Sequence, residues 1–145
     1  MPTTITETEM AARLRLSSTR LARRLRQEGG TGLTPSQLSA LAAVHNSGPL
    51  TLGELADHER VAPSSTTKCV AKLEADGLLQ RTPDPTDRRV TRVSTTKTGR
   101  AVIAETRRRK TTWLTARIRE LEPGDQARLA DALDALDHLC DQDER

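Results

Sequence analysis

The chain has 145 residues, a formal net charge of +3 and an apolar fraction of 34%, with neither Phe nor Tyr and with Trp113 as its one aromatic residue. That length holds one domain, or a small one with helical extensions, and the composition excludes a core built on large rings. Burial stabilises by roughly 25 cal/mol per Å², so a core of Leu, Val, Ile and Ala alone is thin for a monomer, and a second subunit is expected to complete it.

No apolar run approaches the ~20 residues of a membrane helix, and the start, MPTTITETEM, has neither a basic end nor an apolar signal core. A cytoplasmic protein with no membrane partner is therefore expected. Cys69 and Cys140 lie far apart without metal-ligand spacing, which fits free thiols in a reducing compartment and gives no reason to expect a metal or cofactor. Charge is unevenly spread. Arg107, Arg108, Arg109, Lys110, Arg117 and Arg119 face a lone Glu105 in residues 101–119, whereas residues 120–145 carry nine acids against Arg128 and Arg145. Locally basic surface suits a nucleic-acid binder, and it equally suits solvated helix faces.

In chain order, Met10, Leu14, Leu21 and Leu25 recur at helical spacing over about 5–28, and Gly29-Gly30 ends that amphipathic helix. Thr34, Pro35 and Gln37 then form a capping box that opens a second helix, which runs to about Asn46 before Ser47-Gly48-Pro49. Thr51 and Glu54 make another capping box, predicting a short helix over 52–58 with Leu52, Leu55 and Ala56 inward. After a break at Glu59 to Ala62, Pro63 opens a longer helix that turns Cys69, Val70 and Leu73 to the core and ends at Gly77. Two helices joined by so short a turn predict a helix-turn-helix unit, whose second helix enters the major groove of DNA.

The first turns of that helix, Pro63, Ser64, Ser65, Thr66, Thr67 and Lys68, supply hydroxyls and a cation without bulk. Such residues can approach phosphates and base edges, and they also suit an ordinary capped helix start. Leu78 to Thr82 then reads as a strand, Pro83 to Thr86 as a turn and Val90 to Thr95 as the returning strand. A helix-turn-helix followed by a hairpin is a winged helix. Arg88 and Arg89 fall at the wing tip, within reach of a minor groove whose negative potential attracts guanidinium groups. Asp87 beside them can accept from an arginine and fix its fork before binding.

On these residues, segment 34–99 resembles the winged-helix lobe of the MarR family, the multiple-antibiotic-resistance regulators. The family's wing pattern, Asp-x-Arg followed by Leu-Thr, is met by Asp87, Arg89 and Thr96, with Thr95 in place of the leucine. Ala62 stands where a serine cap is usual, which leaves helix initiation to Pro63. The resemblance implies a transcriptional regulator, not an enzyme, that binds double-stranded DNA through Pro63, Ser64, Ser65, Thr67 and Lys68 in the major groove, Lys72 on phosphate, and Asp87, Arg88 and Arg89 at the wing. It also implies a mainly α fold with a small β-wing, in which helices in 1–33 and 100–145 flank the lobe and pair between two subunits.

The later sequence is compatible with that picture. Val102, Ile103, Trp113, Leu114 and Ile118 lie at helical spacing in a helix predicted over Ala101 to Glu120, which breaks at Glu122-Pro123-Gly124. A last helix puts Leu129, Leu133, Leu136 and Cys140 on one stripe, with Leu139 adjacent. A homodimer would bury the stripe and present two recognition helices to a palindromic operator; packing of helices one, five and six within one chain is the alternative. By resemblance, a small aromatic acid or phenol is expected to release DNA, with Arg20, Arg24, His45 and Trp113 as candidate pocket residues, unless Trp113 only fills the dimer core. His45, His58 and His138 lie on three predicted helices without a catalytic or metal motif, and no glycine-rich phosphate loop or nucleophile elbow is present. The competing reading for the lobe is a winged helix that binds protein and not DNA.

Overall fold

The structure, a computed structural model, describes residues 4–141, so the first residues of the start and the last of the acidic tail lie outside it. Its elements are α1 (Glu7–Gly29), α2 (Pro35–Ser47), β1 (Leu50–Thr51), α3 (Leu52–Glu59), α4 (Pro63–Ala75), β2 (Leu79–Pro83), β3 (Thr91–Thr95), α5 (Lys97–Arg119) and α6 (Pro123–Asp141). This is the mainly helical fold with a small antiparallel sheet, ordered β1-β3-β2, that the pattern predicts. Among the described residues no helix is long and apolar enough to cross a membrane.

Local chemistry sets most boundaries. Thr6, Thr34 and Thr51 each accept from the backbone N–H three residues on, while Glu9, Gln37 and Glu54 reach back to the cap amide. These reciprocal bonds satisfy two orphan donors per helix start. Gly30 ends α1 in the left-handed conformation that glycine adopts at little cost. Arg60 ends α3 at φ 54°, ψ 43°, where a side chain crowds its own carbonyl by about 1–2 kcal/mol. Glycine loses more chain entropy on folding, by roughly 0.5–1 kcal/mol, so Arg60→Gly is expected to raise stability by up to about 1 kcal/mol and Arg60→Val to lower it. Urea unfolding checks both signs.

The core lies between α2, α3, α4 and the sheet, closed by the start of α5. Leu41, Leu55, Val70, Leu73 and Val93 are almost fully buried, and Ala40, Ala43, Val44, Leu78, Leu79 and Ile103 close around them. Two details depart from the sequence pattern. Leu50 and Thr51 pair with Val93 and Arg92 as a third strand, which ties the helix-turn-helix to the wing. The fifth helix begins at Lys97 rather than Ala101, because Thr96 Oγ1 accepts from the Gly99 N–H at 3.0 Å and makes Gly99 helical.

Outside the lobe, α1 lies along α5. Gly29 is buried there, and a Cβ on it would stand 3.1 Å from Lys110 Cε, so the helices meet at van der Waals distance. Arg109 Nη1 donates to Gly30 O at 3.3 Å, and the Glu105 carboxylate holds Arg108 and Arg109 at 2.7 and 2.8 Å. Bonds from Arg108 first, then Arg109, lower the Glu105 carboxyl to about 2. Helix α6 is different. Gln126 Nε2 pins its start to Ile118 O and Leu121 O, both at 3.0 Å, yet none of its described residues is buried.

Candidate nucleic-acid interface

Helix α4 starts without a side-chain cap. Ala62 stands at the cap position and offers no acceptor, while Pro63 occupies the first turn; proline has no N–H to satisfy and its φ is already helical. The Ser65 and Thr66 amides turn back on Ala62 O at 3.0 and 3.2 Å. Thr66 points inward and is buried, and Pro63, Ser64, Ser65, Thr67 and Lys68 are exposed. Thr67 Oγ1 spends its proton on Pro63 O at 3.0 Å, so towards a ligand it can only accept. The outward surface of this turn is therefore small, polar and free of bulky apolar groups.

Lys72, expected on phosphate, is paired within its own helix. Its Nζ lies 3.2 Å from Asp76 Oδ1, one turn along the same helix. An exposed pair of this spacing contributes only about 0.3–0.5 kcal/mol, so a phosphate can displace the acid.

The wing is a hairpin of β2 and β3 in register Leu79↔Thr95 to Pro83↔Thr91. At its tip, Asp87 Oδ1 accepts from the Arg89 backbone N–H at 3.1 Å and from Nε at 3.2 Å, and Oδ2 accepts from Nη2 at 3.4 Å. The Arg89 side chain nevertheless stays 92% exposed. The acid thus orients the guanidinium without withdrawing it from water. Arg88 beside it is exposed as well.

The residue that organises the wing is Asp84, which the sequence presents only as a turn former. Its buried carboxylate accepts from the Thr86 N–H at 2.8 Å, the Thr86 hydroxyl at 2.7 Å and the Asp87 N–H at 3.1 Å, and from Arg92 Nε. The Thr86 hydroxyl, then the Arg92 guanidinium and the two amides, hold this carboxyl far below the ordinary carboxylate range. Arg92 in turn donates to Glu54 Oε2 at 3.2 Å, and Glu54 is the residue that caps α3. A continuous chain of charge-assisted bonds therefore runs from the start of α3 through Arg92 and Asp84 to the amide of Asp87. The sequence did not single out Arg92, whose pairing partners lie 8 and 38 residues away.

The four candidate pocket residues are brought together only in part. Arg24 stacks over the Trp113 ring at 5.5 Å from its centroid, and Arg117, which the sequence did not single out, does so at 5.7 Å. The indole N–H is buried and donates to nothing among the described residues. Arg20 is exposed and His45 half-buried, and the 360 and 330 Å³ clefts are lined by other residues. His58 is exposed, its Nδ1 3.7 Å from Glu59 Oε1, and the end of α3 is closed by Arg60 rather than by the imidazole. Cys69 packs half-buried against the core, and burial, then Glu59, pushes its thiol pKa up. Cys140 is exposed. Among the described residues no group of three or more His, Cys, Asp and Glu could hold a metal ion.

Comparison with known proteins agrees with this geometry. The MarR family model matches residues 33–91, the span from the end of the α1–α2 loop to the first residue of β3. The HTH-type transcriptional regulator ML2140 of Mycobacterium leprae is 36% identical over 137 residues, which cover 94% of this chain and 96% of that one. The HTH-type transcriptional repressor MdtR of Bacillus subtilis is 40% identical over 68 residues, 47% of this chain and 44% of its own. Among solved structures, a transcriptional regulator protein from Pseudomonas aeruginosa PA01 superposes with a TM-score of 0.82 at 34% identity, covering 94% of this chain and 98% of that one. Lobe, hairpin and flanking helices are thus matched along nearly the whole length, by proteins named for regulation and not for catalysis, and the chain belongs to the MarR family of HTH-type transcriptional regulators.

Proposed function

We propose that this regulator binds a palindromic duplex as a homodimer, acts as a repressor, and is released by a small ligand. The observation that carries the reading is the wing tip: a guanidinium held by its neighbouring acid yet almost fully exposed, in the same lobe as an uncapped helix start rich in hydroxyls. In this reading Ser64, Ser65, Thr67 and Lys68 approach the major groove with Pro63 allowing close contact. Lys72 exchanges Asp76 for phosphate, and Arg89, aimed by Asp87 and flanked by Arg88, enters the minor groove.

The dimer is supported by what one chain leaves uncovered. Leu133 and Leu139 of α6 are 54% and 59% exposed, and Met10, Leu16 and Leu21 of α1 also face water. Residues 34–99 then form the reading lobe, and the helices of 1–33 and 100–145 join the two copies, placing recognition helices about one DNA turn apart. Repression follows the name of the relative MdtR. Release by an aromatic acid or phenol draws on the two guanidinium groups that flank Trp113 and on its unpaired N–H.

Salt titration of duplex binding tests the core of this reading. Each phosphate neutralised releases counterions, so a dimer making about 6–10 phosphate contacts should lose roughly 10³–10⁵ in affinity between 50 and 200 mM salt. Sedimentation in the same buffers should show a dimer throughout. Duplex binding that is absent, or indifferent to salt, returns the lobe to the role of a protein-binding module.

A further inference from the structure

A cleft lies behind α4. It occupies about 360 Å³ between α2, α3 and the first turns of α4, walled by Ala40, Leu55 and Val61 and edged by Ser39, Glu59 and Cys69. Ligand pockets for small molecules start at about 300 Å³, so the space fits one ring with a short side arm.

Its polar chemistry is one-sided. Glu59 is the only acid on the walls, and no Lys, Arg or His lines them. The Glu59 side chain is 18% exposed, and its Oε1 lies 3.7 Å from His58 Nδ1, too long for a direct bond. Oε2 is held by the Ser39 hydroxyl at 2.6 Å, which fixes the carboxylate's direction. The carboxylate also acts on the cleft's other titratable group, since it adds to the rise of the Cys69 pKa. A carboxylate ligand would be desolvated beside a like charge, which disfavours it. An ammonium group would complete the pair.

We propose that this cleft is a binding site for small apolar amines, with Glu59 as the counter-charge and Leu55, Ala40 and Val61 as the apolar seat. It is separate from Trp113, and it selects the opposite charge from an aromatic acid. Ser65 and Thr66 of α4 form part of its wall, and that turn has no side-chain cap to anchor it. An occupant therefore bears directly on the residues assigned above to the major groove; this last step, unlike the site itself, rests on the DNA-binding reading.

Cys69 is a built-in reporter. Phenethylamine is expected to slow iodoacetamide labelling of Cys69 in the full chain in proportion to occupancy, about tenfold at ten times its dissociation constant, while Cys140, resolved by peptide mass spectrometry, labels at an unchanged rate. Benzoate, a ring of similar size with the opposite charge, should not protect, and Glu59→Gln should remove the protection by the amine. Protection by both compounds alike, protection that survives Glu59→Gln in a chain with wild-type circular dichroism, or no protection of the wild-type chain overturns the proposal. The two readings fail separately: duplex binding without amine protection sinks the site alone, and amine protection in a chain that binds no duplex leaves the site standing and sinks the DNA reading.

Discussion

Gly99→Ala is expected to destabilise the chain by about 2 kcal/mol, against the usual sign for this substitution within a helix. Replacing a helical glycine normally gains up to about 1 kcal/mol, from propensity and from a less disordered unfolded chain. Here the new Cβ would stand 2.1 Å from Leu78 O and 3.0 Å from Leu78 C, and both are backbone atoms. They cannot swing away cheaply. Leu78 O accepts from the Thr96 N–H at 3.1 Å, and the preceding carbonyl, Gly77 O, accepts from Thr96 Oγ1 at 2.6 Å. Overpacking of fixed atoms costs about 1–3 kcal/mol and sometimes more, which outweighs the propensity gain. Gly124→Ala is the internal control. Its Cβ would meet only the Arg128 guanidinium, no nearer than 3.7 Å, so it should stabilise α6 by a few tenths of a kcal/mol to about 1 kcal/mol. Opposite signs for the two variants in urea unfolding carry the argument; a stabilising Gly99→Ala would sink it.

The same glycine shows where sequence reading stops. A glycine two residues before an apolar run resembles a helix boundary, and the fifth helix accordingly looks as though it starts at Ala101. The reason for glycine is a close approach between two segments that are distant in sequence. Local signals worked where the cause was local: the boxes Thr34-Gln37 and Thr51-Glu54 and the prolines at 35 and 63 place three helix starts to within a residue. They failed for β1, whose two residues are too few to alternate and which exists only because Leu50 and Thr51 find Val93 and Arg92. They also gave α6 an apolar stripe without saying what covers it, and one chain does not cover it.

The interface divides along the same line. Exposure of the first turn of α4 and of Arg88 and Arg89 could be read from residue type and position, and so could the Asp87 to Arg89 bond, which spans two residues. The supporting chain from Glu54 through Arg92 to Asp84 could not, because each acid in it already had a sufficient local explanation, one as a capping residue and the other as a turn former. Lys72 shows the converse. Its partner Asp76 sits one turn away, a spacing that is visible in the sequence.

That supporting chain makes the strongest functional prediction. Arg89→Ala should weaken duplex binding by about 10- to 100-fold, the effect of losing one good groove contact worth roughly 1–3 kcal/mol, while sedimentation still shows a dimer. Asp84→Ala should weaken binding about tenfold although Asp84 is buried and is assigned no contact with DNA. Its loss frees the amides of Thr86 and Asp87 and releases Arg92, so the wing must be ordered again on binding. On the reading that Asp84 reaches DNA only through the Asp87-held aim of Arg89, the two effects should not add: in the Arg89→Ala background, Asp84→Ala should cost little more. The acid dependence follows from the depressed pKa of Asp84. Its unfolded carboxyl titrates near about 3.9, so the stabilisation is fully present above that pH and fades only as pH falls through the lower native value. Wild-type wing order, followed by the protection factors of the Thr86 and Asp87 amides relative to their intrinsic exchange rates, should therefore be flat across neutral and mildly acidic pH, whereas Asp84→Ala should show low protection at every pH. Full additivity of the two substitutions would mean that Asp84 reaches the DNA by some route other than the wing tip.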